Sequence, residues 1–240
     1  MIGALFGDIV GSVHERSRTK TTEFPLFTTD SRYTDDSVLT IATAHALLTG
    51  DSYDKAYRMW GRRYRHAGYG GSFKRWLDTP EMPPYQSYGN GSAMRVSPIA
   101  WAMNTVDDLL AEAARSASPT HDHPEGIKGA QAAALTVFLA RTGVDKPTIR
   151  EEISSRFGYD LSRTVDEIRP DYEFDVSCQG SVPEALIAFL DTPDAETAVR
   201  TAISFGGDAD TQAAIAGAAS AAFAPLPATF VQEVRLRLEK

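Results

Sequence analysis

Apolar residues recur along this chain with helical rather than strand spacing. Val38, Ile41, Ala42 and His45 fall at i, i+3, i+4 and i+7, which aligns them on one helix face. Ser52 is a candidate cap for a helix through Ala56, Tyr57, Trp60 and Tyr64. Thr105 followed by Asp108 predicts a capped start for Val106–Ser116. Gly129–Leu139 reads as an Ala-rich helix, and Pro147 suits the first turn of a helix ending at Phe157. By the same logic Pro183 opens Glu184–Leu190, Pro193 opens Asp194–Phe205 and Pro227 opens a terminal helix to Leu238. Asp210–Phe223 carries small residues on several faces, so neighbouring helices can approach it closely. Only Tyr172–Ser177 has an extended character, and it reads as a connection. Loops are expected at Arg16–Arg32, Gly68–Gly71, Leu77–Gly89 and Arg163–Gln179. No linker, repeat or low-complexity tract intervenes, so the pattern predicts one compact, single-domain all-α fold over residues 1–240.

Composition narrows the function classes. With 240 residues, 42% hydrophobic and 23% charged, the chain can bury one sizeable core. Its 24 Lys+Arg against 32 Asp+Glu give a net charge of −8, which argues against a broad nucleic-acid or membrane-surface binder while leaving a local basic pocket open. The single cysteine, Cys178, excludes an intrachain disulfide and a cysteine-cluster zinc site. Met1–Val10 lacks the basic start of a secretory signal, and Ala213–Ala228 is too mild to span a bilayer. The expectation is a soluble, cytoplasmic, monomeric protein.

Two acidic clusters lie far apart in sequence: Tyr33-Thr34-Asp35-Asp36-Ser37 and Gly206-Gly207-Asp208-Ala209-Asp210-Thr211. Each offers two carboxylates and a hydroxyl at a loop-to-helix transition, a hard-oxygen donor set suited to Mg²⁺, Mn²⁺ or Ca²⁺. Each alone is also what an ordinary capped helix start looks like. Gly89-Asn90-Gly91-Ser92-Ala93-Met94-Arg95 leads small residues into a turn that can aim backbone N–H groups at an anion, or simply begin a helix. In Thr120-His121-Asp122-His123-Pro124 the histidine spacing does not match a zinc-protease helix face.

Taken in order, these segments resemble the ADP-ribosylglycohydrolase family. The matching stretches are GALFGDIVGSVHE at 3–15, YTDDSV at 33–38, GNGSAMR at 89–95, THDHPEGIKGAQA at 120–132, CQGSVPEAL at 178–186 and GGDADTQAAIAGA at 206–218. The resemblance implies an all-α fold with a binuclear Mg²⁺ site, Mn²⁺ being an acceptable substitute. It implies metal ligation by Thr34, Asp35 and Asp36 and by Asp208, Asp210 and Thr211. It places Glu15 as a mobile acid near the metals, with Asp35, Asp36 and Asp208 also in the catalytic group. Gly89, Asn90, Gly91, Ser92, Met94 and Arg95 would cradle the diphosphate of ADP-ribose, and His121 would line the distal-ribose pocket. The Cys178 segment recurs without an assignable role. Ser37 and Ser220 depart from the common pattern and read as packing changes.

The resemblance implies hydrolysis at C1″ of ADP-ribose adducts, with ADP-ribose or an ADP-ribosylated acceptor as partner. Two other classes compete. An ADP-ribose reader on the same fold would retain the glycine-rich segment while losing the metals. An all-α phosphohydrolase of the His-Asp type would need several ligating histidines from the five present, His14, His45, His66, His121 and His123.

Overall fold

The computed structural model describes residues 1–239, and these form thirteen α-helices and one 3₁₀ turn. In chain order the helices are α1 (Ile2–Gly11), α2 (Asp35–Thr49), α3 (Tyr53–Arg63), α4 (Gly71–Asp78), α5 (Ile99–Ala102), α6 (Val106–Ala117), α7 (Pro124–Arg141), α8 (Lys146–Phe157), α9 (Val165–Ile168), α10 (Cys178–Leu190), α11 (Ala195–Ile203), α12 (Ala209–Phe223) and α13 (Ala228–Leu238), with the 3₁₀ turn at Asn90–Ser92. Among the described residues there is no strand; a lone antiparallel bridge joins Gly89 to Ser177. One hydrophobic core runs through all the long helices. No helix among them is long and apolar enough to cross a membrane.

Side-chain caps fix many of the boundaries. Ser52, Thr105, Asp145 and Asp194 each accept a hydrogen bond from a backbone N–H in the first turn of the helix that follows. Each orphan donor satisfied this way is worth about 1 kcal/mol. α9 lies inside the stretch expected as a loop, because Thr164 and Glu167 cap its start reciprocally, and two helix starts also differ from the sequence reading. α7 starts five residues earlier than Gly129, because His123 caps it and Pro124 occupies its first position. α10 starts at Cys178, capped by Ser177, and Pro183 lies inside it rather than opening it. A proline there removes only one N–H, and the Ser177 cap has already committed the preceding turn to helix. On α2 the buried face runs through Leu39, Ala42, Thr43 and Ala46, so His45 is half-buried at its edge, 3.6 Å from Asp51.

The close pairing of α1 with α12 positions the site. Gly3, Gly7 and Gly11 share one face of α1, spaced by one helical turn. A Cβ on Gly3 would collide with the Gly217 carbonyl and Ala221; on Gly7 it would enter the Ala213 carbonyl; on Gly11 it would lie 2.5 Å from the Cα of Asp210. The two backbones therefore touch without intervening side chains. This contact leaves Asp8 on α1 beside the first turn of α12.

The long 16–34 connection is anchored along its length. Lys20 Nζ donates to the carbonyls of Arg169 (2.7 Å), Tyr172 (2.6 Å) and Phe205 (2.6 Å). Arg200 donates to the carbonyls of Thr22 and Phe24, and Arg237 to that of Thr28.

Candidate metal centre

The two acidic clusters meet at the N-termini of α2 and α12. Thr34 caps α2, and its hydroxyl lies 3.4 Å from Asp36 Oδ2. From the other cluster, Thr211 Oγ1 donates to the same oxygen at 3.3 Å. Asp210 Oδ1 accepts the Thr211 N–H at 3.0 Å. Gly206 turns the chain into α12 with φ 72°, a left-handed conformation that favours glycine. The charge of Asp210 lies close enough to Asp208 to raise its carboxyl further. Asp35 is half-buried, and Asp36, Asp208 and Asp210 are buried.

The structure adds one carboxylate that pattern reading passed over. Asp8 is fully buried in the apolar α1. Its carboxylate accepts hydrogen bonds from the Thr34 N–H (2.9 Å), the Thr34 hydroxyl (2.6 Å), the Ser37 N–H (3.1 Å) and the Ser37 hydroxyl. Ser37 is therefore more than a packing change, because both of its donors serve Asp8. One oxygen from each of Asp8, Asp36 and Asp210 lies within 4.8 Å of the others. The available sequence signal was a lone acid in the middle of the apolar run GALFGDIVG.

The electrostatics are those of an uncompensated acidic nest. Burial, and next the charge of Asp210, push the Asp8 carboxyl up to about 7 against the hydrogen bonds from Ser37 and Thr34. Burial, then Asp210 and Asp8, push Asp35 up to about 8. Asp36 and Asp208 are raised well above the ordinary carboxylate range, by burial first and Asp210 second. Asp210 is raised by burial, with partial relief from Asp208 and the Thr211 N–H. Asp36 Oδ1 is buried without any hydrogen-bond partner. Crowded carboxylates with an orphaned oxygen call for a hard cation or for protons. The donor set of carboxylates and hydroxyls fits divalent magnesium or manganese, and among the described residues no histidine or cysteine belongs to it.

The glycine-rich segment adjoins this centre through Asn90, whose Nδ2 donates to Asp208 Oδ2 (2.7 Å) and Ser181 Oγ (3.2 Å). The Cys178 segment clamps this loop. Cys178 N–H donates to the Tyr88 carbonyl, Asn90 N–H to the Val176 carbonyl, and Cys178 Sγ to the Gly89 carbonyl at 3.0 Å. His121 Nε2 faces Gly89 and Gly91, and a Cβ on Gly91 would approach it to 3.1 Å. His121 Nδ1 is 2.7 Å from Thr120 Oγ1, and burial and the charge of Arg95 hold the ring well below its usual pKa.

The other residues of the segment point inward. Ser92 Oγ donates to the Gly126 carbonyl, and Met94 Sδ accepts from Thr211. The Arg95 guanidinium is fully buried 4.1 Å from the Tyr57 ring and donates to Thr120 Oγ1 (2.9 Å) and the Ser116 carbonyl. Arg95 is thus linked to His121 through Thr120, while its Nε and Nη1 are buried without a hydrogen-bond partner. His123 caps α7 and Asp122 binds Gln86, so the His-Asp motif does not assemble into a phosphohydrolase-type site.

Glu15 lies on the opposite side, half-buried in a cleft of about 1260 Å³ that also exposes Asp35 and Asp210. Its carboxyl is raised by burial and Asp210, and opposed by Arg16 and Arg32.

Known proteins resemble this chain along its length. A sequence model of the ADP-ribosylglycohydrolase family matches residues 1–239. Mouse ADP-ribosylhydrolase ARH3 is 33% identical over 180 residues, covering 60% of this chain and 48% of the relative, so that match spans about half of the relative's length. Human ADP-ribosylhydrolase ARH3 is 27% identical over 304 residues, covering 93% of this chain and 84% of the relative. A solved structure described as an ADP-ribosylglycohydrolase-related protein complex superposes with a TM-score of 0.70 at 25% identity, covering 99% of this chain and 93% of the other.

Proposed function

The chain belongs to the ADP-ribosylglycohydrolase family, and we propose that it is a divalent-metal-dependent hydrolase that cleaves the C1″ linkage of ADP-ribose adducts. The observation that carries this reading is the convergence of Asp8, Asp36 and Asp210, with Asp36 Oδ1 left unpartnered, next to Asn90 of the glycine-rich segment.

In this proposal Thr34, Asp35, Asp36, Asp208, Asp210 and Thr211 hold two Mg²⁺ ions, with Mn²⁺ able to substitute. When bound, such cations fix hydroxyl-bearing substrates and lower the pKa of water. Asp8 holds Thr34 and Ser37 in place and adds buried negative charge beneath the ligands. The backbone of Gly89–Ser92 receives the diphosphate of the adduct, with Asn90 linking that segment to Asp208. The neutral His121 ring presents its edge to the distal ribose. Departure of the leaving group builds positive charge on that ribose, which the surrounding carboxylates offset. Glu15, half-buried and facing the leaving-group side, holds the proton that is delivered to or taken from the reacting atoms; such transfer is worth about 10²–10⁴ in rate.

The test is release of free ADP-ribose from ADP-ribosyl-arginine, ADP-ribosyl-serine, ADP-ribosylated DNA and O-acetyl-ADP-ribose, each with Mg²⁺ and with EDTA. Metal-dependent release from at least one substrate is expected. Binding of ADP-ribose without turnover of any of them would make the protein a reader instead.

A further inference from the structure

Positive charge in this acidic protein is concentrated in one place. Between Tyr53 and Asp78 there are seven basic residues against two acids, a local charge of +5 within a chain of −8, which leaves −13 for the rest. The C-terminal end of α3 brings part of this charge to the cleft beside Glu15. Arg63, Arg65 and His66 line that cleft together with Arg16, Arg32 and Arg237.

Two of these arginines are engaged: Arg65 pairs with Asp78 and Arg237 with Glu233. Arg16, Arg32 and Arg63 are exposed and join no ion pair among the described residues. Aromatic rings lie between them. Tyr33 and Tyr64 line the same cleft, half-buried and packed edge to face at 6.1 Å, and Arg63 lies 5.7 Å from the Tyr64 ring.

No residue of Gly89–Arg95, nor His121, lines this cleft, whereas Asp35 and Asp210 do. The cleft therefore opens on the side of the carboxylates away from the glycine-rich segment. If the adduct's diphosphate lies on that segment, the leaving group projects into the arginine-lined side.

We propose that this cleft receives the acceptor of the adduct, and that the acceptor is a single-stranded nucleic acid whose phosphates meet Arg16, Arg32 and Arg63 while a base stacks on Tyr64. Guanidinium groups alternating with tyrosine rings are the combination that takes a phosphodiester strand: the charges track the backbone and the rings take bases. An acidic peptide would use the arginines but offers no ring to extend the stack that Tyr64 makes with Trp60 at 5.7 Å. The strip is local, so it is compatible with the absence of a broad basic field. This inference rests on the proposed glycohydrolase reading, which sets where the leaving group lies, but binding can be measured without turnover.

The experiment is fluorescence anisotropy of a 5′-fluorescein-labelled 12-nucleotide oligothymidylate with the Mg²⁺-loaded protein, titrated at several NaCl concentrations. Binding should weaken with salt with a log–log slope of about −2, as expected for roughly three phosphate contacts. The double variant Arg32→Glu, Arg63→Glu should weaken binding at least tenfold while leaving calorimetric binding of free ADP-ribose within twofold. Arg115→Glu, on α6 outside this cleft and half that charge change, should alter oligonucleotide binding less than twofold, against more than threefold for Arg32→Glu alone. Tyr64→Ala should weaken it without changing the salt slope.

Absence of binding, or equal losses in the Arg115 and Arg32/Arg63 variants, would overturn the proposal. So would a glutamate 12-mer that competes better than unlabelled oligothymidylate, since that would assign the cleft to acidic protein segments. ADP-ribose release from small adducts with no oligonucleotide binding would defeat this inference alone. Oligonucleotide binding with no release from any adduct would defeat the glycohydrolase reading and leave the nucleic-acid cleft standing.

Discussion

The carboxylate of Asp8 accepts both the backbone N–H and the hydroxyl of Thr34, at 2.9 and 2.6 Å, across 26 residues of sequence. This pair joins the first helix to the first acidic cluster. Because α1 is itself pressed against α12, the same residue brings the second cluster into register. Asp8 is thus the common support of two segments that share no local sequence.

Asp8→Asn should therefore separate metal affinity from folding. The amide keeps the shape but loses the charge and two of its acceptor positions. Mg²⁺ or Mn²⁺ affinity by calorimetry should fall about 10–100-fold, as for other residues that orient metal ligands. The metal-free variant should melt no lower than the metal-free parent, since a buried repulsive charge has been removed. Unchanged metal affinity would show that Asp8 is only a structural acceptor.

Asp208→Ala and Asp210→Ala should each abolish metal-dependent release of ADP-ribose while far-ultraviolet circular dichroism stays helical. Of the two, Asp208→Ala should also loosen the glycine-rich segment, because Asn90 Nδ2 loses its 2.7 Å partner. That difference should appear as faster hydrogen exchange at Asn90–Ser92. Full activity of either variant in a metal-buffered assay would remove it from the proposed set of metal ligands.

Metal-free protein should become less stable as pH rises. The folded-state pKa values of Asp8 and Asp35 are raised from 3.8 to about 7 and about 8. A raised group contributes stability that is fully present below its unfolded value and is lost as pH climbs through its folded value. The Tm in EDTA should therefore fall from about pH 5 to about pH 8, each kcal/mol lost lowering it by about 2–4 °C at this size. Mg²⁺ should restore more of the Tm at the upper end than at the lower. A Tm in EDTA that rises across this window would contradict the acidic nest.

Gly7→Ala tests the backbone contact that sets the site. An added Cβ would enter the Ala213 carbonyl, so α1 and α12 must part. Overpacking of this kind costs about 1–3 kcal/mol, read as a shift in the urea midpoint. Metal affinity should drop with it, although Gly7 carries no ligand atom. Gly70→Ala, with open space around it and an ordinary φ of −60°, should cost less and leave metal binding intact.

Glu15→Gln should lower kcat far more than it weakens ADP-ribose binding, consistent with a proton-transfer role. The loop that follows Glu15 is held by Lys20, so Lys20→Ala should mimic part of the loss by freeing that segment. A pure affinity loss in Glu15→Gln, measured by calorimetry, would make it a binding residue.

The sequence by itself determined the helical class, most helix starts and both acidic clusters. Each of these is local: a cap and its first turn, or two carboxylates around one turn, are fixed by neighbours a few residues apart. Ser52 before Tyr53 and Thr105 before Val106 were legible for that reason. Where two local signals competed, only packing and capping together decided, as when Ser177 rather than Pro183 began α10. The tertiary structure alone decided the rest. It brought Asp8 to Thr34 because glycines on α1 let α12 come to backbone contact. It buried Arg95 against Tyr57 and tied it through Thr120 to His121, contacts between residues 25 to 38 positions apart that no local pattern shows. It also gathered Arg16, Arg32 and Arg63 around one cleft from segments whose charges, counted along the chain, disappear into a net of −8. Net charge is a sum and carries no positions, whereas binding responds to the local field that folding creates.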